Sequence, residues 1–273
     1  MKTTQAMIKP FRFESYGALV EITSNHQDVI DRAAEVARTS MLGTVSEVSK
    51  GPFDQRFELN RDDDGTLHLI ENGEEIAKSD ETDKFFKFFD SLIRVSIGES
   101  ARGFVFIHAG VVGWKGKAIV LPGDSFSGKS TLVAALVQNG AEYYSDDFAV
   151  FDGDGLLRPF HRPFAMRTRD GKFNTYQITV EELGGTYGFD PIPAGIVLFT
   201  EYSKGSRWLP RSMTAGQGVL ELIHYALPVR PNPEFTFAVL NNLASRAIIV
   251  SSRRGTAETF AKRLLNFVDK HVN

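Results

Sequence analysis

A glycine-rich segment near the middle of the chain carries residue types that hold phosphate groups. It reads Gly123-Asp124-Ser125-Phe126-Ser127-Gly128-Lys129-Ser130-Thr131 and matches the pattern G-x-x-x-x-G-K-[ST] in full. In such a loop the backbone N–H groups point at the phosphates, and glycines let the backbone approach them closely. The lysine reaches the β- and γ-phosphates, while the hydroxyl coordinates the Mg²⁺ that bridges them. The whole segment is therefore predicted to bind ATP, and Ser130 is predicted to hold Mg²⁺.

The segments on either side of this loop have the order that phosphate binding requires. The apolar strand from Ala118 to Leu121 leads into it, and helix-forming residues from Thr131 to Val137 lead out of it. Unpaired amides and the dipole at the start of that helix favour negative charge. This order favours a phosphate site over a chance glycine-rich turn.

Two adjacent carboxylates, Asp146 and Asp147, end a short strand that follows the helix. Because one helix and one strand separate them from Lys129, we expect their strand to share a sheet with the strand before the loop, which puts both side chains beside the phosphates. One carboxylate can hold Mg²⁺ through water, and the other can take a proton from an attacking hydroxyl. No LSGGQ-like signature follows, which argues against a transporter ATPase.

Two further polar residues have weaker sequence signals. His108 ends the apolar run from Phe104 to Ile107, where packed or capping histidines are commoner than site residues. Arg162 follows the aspartates, and a guanidinium can bind phosphate bidentately, although a structural arginine fits the sequence as well. Arg162 is therefore a candidate contact for phosphate or acceptor.

The stretch from Phe106 through the loop to Asp147 resembles the catalytic domain of the HPr serine kinase family. More distantly, it resembles ATP-dependent phosphoenolpyruvate carboxykinase. The resemblance implies a kinase that moves the γ-phosphoryl group of ATP to a hydroxyl, with a protein or peptide serine as the expected acceptor. It also implies catalytic roles for Lys129 and for Asp146, which would be the base poised by His108, while Asp147 would assist Mg²⁺.

Other functions remain open on the sequence. Small-metabolite kinases of the shikimate type also place aspartates soon after the P-loop helix, but their loop lies near the N-terminus without a preceding histidine-bearing hairpin. A non-catalytic regulatory module would bind ATP without turnover, and the intact Lys129, Ser130 and aspartate pair argue against it. A carboxykinase would need further metal and oxaloacetate ligands.

The first part of the chain is predicted to form a separate mixed domain. The sequence predicts strands over 8–23, a helix with a capping box at Ser24 and Gln27, a β-meander over 57–78 with turns at Asp64-Gly65 and Asn72-Gly73, and a helix over 84–97. Gly98 begins a break in the helical pattern. A small α+β domain of unassigned role is therefore predicted over 1–98.

The remaining residues, 99–273, are predicted to form an α/β P-loop kinase domain of the HPr kinase and phosphoenolpyruvate carboxykinase type. Its expected elements are a hairpin with a Lys-Gly turn at 115 and 116, the loop and its helix, the strand before Asp146, a β-like stretch from Ala194 to Thr200, and a mostly helical tail.

Composition limits the partners of the chain. The formal net charge of −3 comes from 34 acidic and 31 basic residues without a long basic run, so nucleic acid is not expected as a partner. No apolar window approaches the roughly 18 residues of a membrane span, and the N-terminus lacks a secretory apolar stretch. The absence of cysteine excludes thiolate metal sites and fits a reducing cytoplasm. We expect ATP and a protein, peptide or small-molecule hydroxyl acceptor as partners, and a homo-oligomer is left open.

Overall fold

Two structural units follow each other along the chain, Met1–Gly103 and Phe104–Asn273. The computed structural model describes residues 8–125, 127–167 and 175–272. Both units combine helices with a β-sheet, so the chain is a mixed α/β protein. Within the described residues, no helix has both the length and the apolar character needed to cross a bilayer.

The first unit is a six-stranded sheet with two helices packed against it. Its elements are β1 (Phe11–Ser15), β2 (Ala18–Thr23), α1 (Gln27–Ser40), β3 (Ser46–Glu47), β4 (Gln55–Arg61), β5 (Leu67–Glu71), β6 (Glu74–Ser79) and α2 (Thr82–Ser100). The strand order is β3-β1-β2-β4-β5-β6. Strands β2 and β4 pair in parallel, and their neighbours pair antiparallel.

Apolar residues at strand and helix spacing build the core of this unit. Alternate positions of β2 are buried, which is the period-two pattern of a strand with one covered face. Phe57 of β4 meets Phe89 of α2 edge to face, with ring centroids 5.5 Å apart. Asn72 and Gly73 both have positive φ in the turn between β5 and β6, as the predicted hairpin requires.

The ends of the two helices differ from the sequence prediction. Helix α1 begins at Gln27 with His26 as its N-cap, and the Ser24 hydroxyl accepts a bond from the His26 amide at 3.1 Å. The predicted capping box is therefore wrong, because Gln27 is the first helical residue and not the third. Helix α2 continues past the buried Gly98, since packing outweighs the roughly 1 kcal/mol preference against helical glycine. The two units divide after Gly103.

The second unit is a nine-stranded sheet with helices on both faces and a separate two-stranded ribbon. Its elements are β7 (Phe104–Trp114), β8 (Lys117–Pro122), α3 (Lys129–Val137), β9 (Glu142–Ser145), β10 (Phe148–Asp152), β11 (Leu156–Arg158), β12 (Phe164–Arg167), β13 (Thr175–Ile178), β14 (Thr186–Tyr187), β15 (Ile192–Tyr202), β16 (Arg211–Ser212), α4 (Ala215–Ile223), α5 (Pro233–Arg246), β17 (Ile248–Arg254) and α6 (Ala257–His271). The sheet order is β14-β9-β7-β10-β11-β15-β17-β16, with β8 between β7 and β15, and β12 pairs with β13.

Side-chain alternation along the strands divides the core of this unit into two layers. Ile119 and Leu121 of β8 pack in the layer that contains α3 and α6. Ala118 and Val120 of the same strand pack in the layer that contains α4 and α5. Successive strand residues point to opposite faces, so a strand covered on both faces is apolar throughout.

The direction of the strands brings several loops to one edge of the sheet. Strands β8, β15 and β17 are parallel, and β9 runs the same way because both β8 and β9 are antiparallel to β7. The predicted mostly helical tail contains α4, α5 and α6, and it also contains β17, where the β-branched run from Ile248 to Val250 pairs with β15. The carboxyl ends of β8, β9, β15 and β17 therefore share the edge where ligands bind in open α/β sheets.

Candidate functional site

The glycine-rich loop joins β8 to α3 at this edge. The Gly123 amide donates to the His108 carbonyl at 3.3 Å, which ties the start of the loop to β7. Gly128 is the N-cap of α3 with a φ of 86°, a left-handed conformation that glycine adopts without strain. Phe126, one of the predicted loop contacts, lies outside the described residues.

The first turn of α3 presents unpaired amides at the end of the loop. The helix bond from the Leu132 amide to the Gly128 carbonyl spans 3.1 Å, so the amides of residues 129–131 precede the hydrogen-bond ladder. No side chain caps them. The helix lies close to β7 because a Cβ on Gly110 would come within 2.5 Å of Val133. This arrangement fits an anion above the start of α3.

Lys129 is turned back onto its own loop. Its Nζ donates to the carbonyl oxygens of Gly123 at 2.7 Å and Asp124 at 2.8 Å. Desolvation lowers the pKa of Lys129, and the charges of Asp147, Asp124 and Asp146 oppose that shift. An ammonium group held only by carbonyl oxygens can transfer to a phosphate, which offers a full negative charge.

Asp146 lies beside the start of α3. The Ser130 hydroxyl donates to its carboxylate, and the Tyr143 hydroxyl donates to its Oδ1 at 3.1 Å. Burial raises the pKa of Asp146 to about 6; the negative charge of Asp147 adds to the rise, while both hydroxyls and the charge of Arg162 oppose it. The carboxylate and the first hydroxyl of α3 therefore form one oxygen-rich pair.

Asp147 lies in the turn that joins β9 to β10. The Ser145 hydroxyl accepts bonds from the amides of Asp147 at 3.2 Å and Phe148 at 3.1 Å, which fixes the turn between β9 and β10. The Ala109 amide donates to the Asp147 carbonyl at 3.2 Å. Because β7 pairs with both neighbouring strands, this turn is held next to the end of the loop.

His108 lies near Asp147. Its ring packs against Phe148, with centroids 5.7 Å apart. Burial lowers the pKa of His108, as does the charge of Lys129, whereas the charges of Asp147 and Asp124 raise it. Of the two adjacent aspartates, Asp147 is the one whose charge raises the pKa of His108, whereas the family resemblance implied that His108 poises Asp146. The order of the two side chains in the turn explains the difference, since Asp146 points toward Ser130.

The other predicted residues lie on the same edge. The Arg162 carbonyl accepts a bond from the Tyr143 hydroxyl at 2.8 Å, which places Arg162 beside Asp146. Ser125 is exposed in the loop, and the Ser127 amide donates to the Asp124 carbonyl at 3.2 Å. Thr131 is exposed on the first turn of α3.

Two residues at this edge have no signal in the sequence. Tyr143 is fully buried and joins Asp146 to Arg162 through its hydroxyl. Arg254, at the end of β17, is buried and donates through Nη2 to the carbonyl oxygens of Ser127 at 3.3 Å and Gly128 at 3.1 Å. An apolar strand that ends in a polar residue at the loop edge is the pattern that would have pointed to Arg254, but that strand was not predicted.

Two cavities border the loop. One of about 1080 Å³ adjoins its first half and is lined by Gly123, Asp124 and Tyr225 among others. A smaller one of about 260 Å³ adjoins its second half and is lined by Gly128 and Thr131, together with the end of β17 and the start of α6. The loop thus borders both cavities, and Asp146 and Asp147 lie beside the loop.

The donors at this edge fit a magnesium-bound nucleoside triphosphate. Mg²⁺ usually takes one or two protein carboxylates and completes its shell with phosphate oxygens and water. Ser130 and Asp146 already lie together and offer that kind of oxygen. Within the described ranges, no group of three or more His, Asp or Glu side chains forms a metal cage.

Several chains of known structure are similar to this chain, and one of them is an HPr(Ser) kinase/phosphatase with low sequence identity. The HPr(Ser) kinase/phosphatase from Coxiella burnetii is similar to this chain at 13% sequence identity and a TM-score of 0.35, and the match covers 61% of this chain and 95% of that chain. No family model and no curated protein matches the chain.

Proposed function

We propose that the chain is an ATP-dependent kinase that transfers the γ-phosphoryl group to a hydroxyl, with a serine of a protein or peptide as acceptor. The observation that carries this proposal is the position of two adjacent aspartates beside one phosphate loop, both close enough to act on the charge of Lys129. Asp146 accepts a hydrogen bond from Ser130 at the start of α3, while the negative charge of Asp147 acts on His108 and Lys129. A metal position and a proton acceptor are the two carboxylate roles that phosphoryl transfer needs.

The loop amides and Lys129 would bind the phosphates. The amides of residues 129–131 are unpaired within α3, and Lys129 would exchange the carbonyls of Gly123 and Asp124 for oxygens of the β- and γ-phosphates. Ser130 and Asp146 would hold Mg²⁺, which when bound would supply neutralisation of charge on the phosphate oxygens.

Asp147 would be the proton acceptor. This assignment reverses the roles that the family resemblance implied for the two aspartates. The hydrogen bond between Asp146 and Ser130, the predicted magnesium ligand, supports it. The acceptor oxygen would attack the γ-phosphorus and lose its proton to Asp147, while the bond from that phosphorus to the β-bridging oxygen breaks. The products are a phosphate ester and ADP. His108 would be a positioning residue that interacts electrostatically with the Asp147 carboxylate.

A transfer assay with labelled ATP tests this proposal. Purified protein is mixed with ATP carrying label on its γ-phosphate, Mg²⁺ and a cell lysate, and labelled proteins, peptides and metabolites are resolved separately. We expect a labelled acceptor with wild type, a loss of at least about 100-fold with Lys129→Ala or Asp147→Asn, and an unchanged product with Lys262→Ala, an exposed lysine of α6.

Binding measurements separate the two aspartates. By calorimetry, Asp147→Asn should still bind Mg-ATP, whereas Asp146→Asn should bind ATP with a reduced dependence on Mg²⁺. Full transfer by Asp147→Asn together with inactive Asp146→Asn would restore the assignment from the resemblance. Tight ATP binding without transfer to any fraction would instead support a non-catalytic module.

A further inference from the structure

The 260 Å³ cavity between the starts of α3 and α6 contains a buried cation that the proposed reaction does not yet use. Arg254 is 3% exposed and lines this cavity with Gly128, Thr131 and Glu258. We infer that this cavity binds the phosphate nearest the nucleoside, with Arg254 as its cationic ligand. The inference rests on the proposed function, because it assigns one end of the same nucleotide.

The hydrogen bonds of Arg254 leave part of its guanidinium without an acceptor. A guanidinium has five N–H donors. Nη2 donates to Ser127 and Gly128, and Nη1 donates to the Gly255 carbonyl at 3.3 Å. The buried Nε has no hydrogen-bond partner among the described residues. A buried guanidinium is expensive unless an anion compensates it, and carbonyl oxygens carry only partial charge.

Two helices begin at this cavity. The nine-residue α3 contributes its uncapped first turn, and the 15-residue α6 has Thr256 as an N-cap residue without a side-chain cap. The Thr256 hydroxyl lies 3.1 Å from the Thr259 hydroxyl, so it does not bond to an α6 amide. Two helix starts and a buried arginine around one space make a strong site for a phosphate.

The direction of the nucleotide along the loop decides which phosphate lies here. Lys129 marks the γ-phosphate end, because its Nζ bonds to Gly123 and Asp124, which line the larger cavity. The smaller cavity touches the loop at Gly128 and Thr131, beyond Ser130 along the chain. The phosphate chain therefore ends at Arg254 with the α-phosphate.

The rest of the cavity suits a nucleoside. Tyr202 is 49% exposed, lines both cavities and lies below the Arg254 guanidinium, 5.7 Å from guanidinium carbon to ring centroid. The exposed Glu258 in the first turn of α6 can accept hydrogen bonds from ribose hydroxyls.

Thio-substituted nucleotides test the assignment. The two α-thio diastereomers of ATP are titrated into wild type, Arg254→Gln and Arg263→Gln with EDTA present, so that metal preference does not contribute. Arg263 is the control because it is an exposed arginine of α6 that lines neither cavity. We expect at least a fivefold preference between diastereomers in wild type and Arg263→Gln, and a ratio near one in Arg254→Gln with at least tenfold weaker ATP binding.

Each failure has a distinct meaning. If wild type binds no nucleotide even when Mg²⁺ replaces EDTA, the proposed function is refuted. If wild type binds ATP and Lys129→Ala does not, but Arg254→Gln keeps the wild-type ratio, Arg254 only holds the loop and the inference alone is overturned. Should Arg254→Gln fail to fold, Arg254→Lys takes its place with the same criterion. Equal affinity of wild type for both diastereomers would overturn the inference without any variant.

Discussion

Replacing Asp146 with asparagine should stabilise the ligand-free protein at neutral pH. Burial holds the pKa of Asp146 at about 6 in the folded state, against 3.8 for the ordinary carboxyl group. A folded-state pKa above the unfolded value means that the folded protein binds more protons between these values, so stability falls as pH rises from about 4 through 6. Above about pH 6 the ionised carboxyl group of Asp146 lowers the free energy of unfolding by its full amount, and below about pH 4 this loss disappears.

The magnitude follows from the size of the shift. About two pKa units correspond to roughly 3 kcal/mol, and residual access of water to the partly buried side chain reduces this to about 1–3 kcal/mol. Asparagine keeps an acceptor for the Tyr143 hydroxyl and has the same shape as the carboxyl group. Asp146→Asn should therefore gain about 1–3 kcal/mol at pH 8 and nearly nothing at pH 4.

Urea unfolding followed by tryptophan fluorescence measures this gain. Both tryptophans of the chain, Trp114 and Trp208, lie in the second unit, so the signal reports on the unit that contains the site. The exposed Asp154 supplies a matched control, and Asp154→Asn should leave the profile of stability against pH unchanged. EDTA is added throughout, since a bound metal would favour the ionised carboxyl group of Asp146.

Other titrating groups are common to wild type and variant, and their contributions cancel in the difference between the two profiles. A difference that is constant with pH, or an Asp146→Asn protein less stable than wild type at pH 8, would refute the reasoning. Either result would mean that the carboxylate is compensated in the folded protein and that its pKa is not raised.

Three further predictions concern the same unit. Tyr143→Phe removes a hydroxyl that lowers the pKa of Asp146, so the fall of stability should extend to higher pH and about 1 kcal/mol should be lost, measured by the same urea series. Gly110→Ala should cost about 1–3 kcal/mol, because its Cβ would lie 2.5 Å from Val133; unchanged unfolding midpoints would show that α3 can move away. Mg-ATP at 100 times its dissociation constant should stabilise wild type by about 2.7 kcal/mol in calorimetric scans, and Lys129→Ala should show no such gain at the same concentration.

Local sequence signals were enough to place the loop, its helix and the turn residues. The loop pattern lies between a strand and a helix in the structure, and Lys115 and Gly116 have the positive φ of the predicted turn. These features depend on neighbouring residues in the chain, so spacing alone can identify them. The helix extending through Gly98 shows where such a signal fails, because tertiary packing outweighs a local preference.

Features that depend on distant parts of the chain could not be predicted. Strand β17 has only a short apolar run after α5, and its partner β15 lies across a long insertion that includes two helices. The sequence therefore contained no signal for the hydrogen bond between Arg254 and Gly128. The order of the two aspartates is a similar case, because the turn that Ser145 caps decides which side chain faces Ser130.

Burial of the charged groups around the loop costs stability, and a metal-bound polyphosphate would relieve that cost. Desolvation raises the pKa of Asp146 and lowers those of Lys129 and Arg254, so burial opposes the charged form of all three. A divalent cation would favour the ionised carboxylate, and phosphate oxygens would favour the ammonium and the guanidinium. One ion alone would relieve one sign of charge and leave the other. The pattern therefore favours a metal and a polyphosphate that bind together, and it predicts that ATP and Mg²⁺ increase each other's affinity.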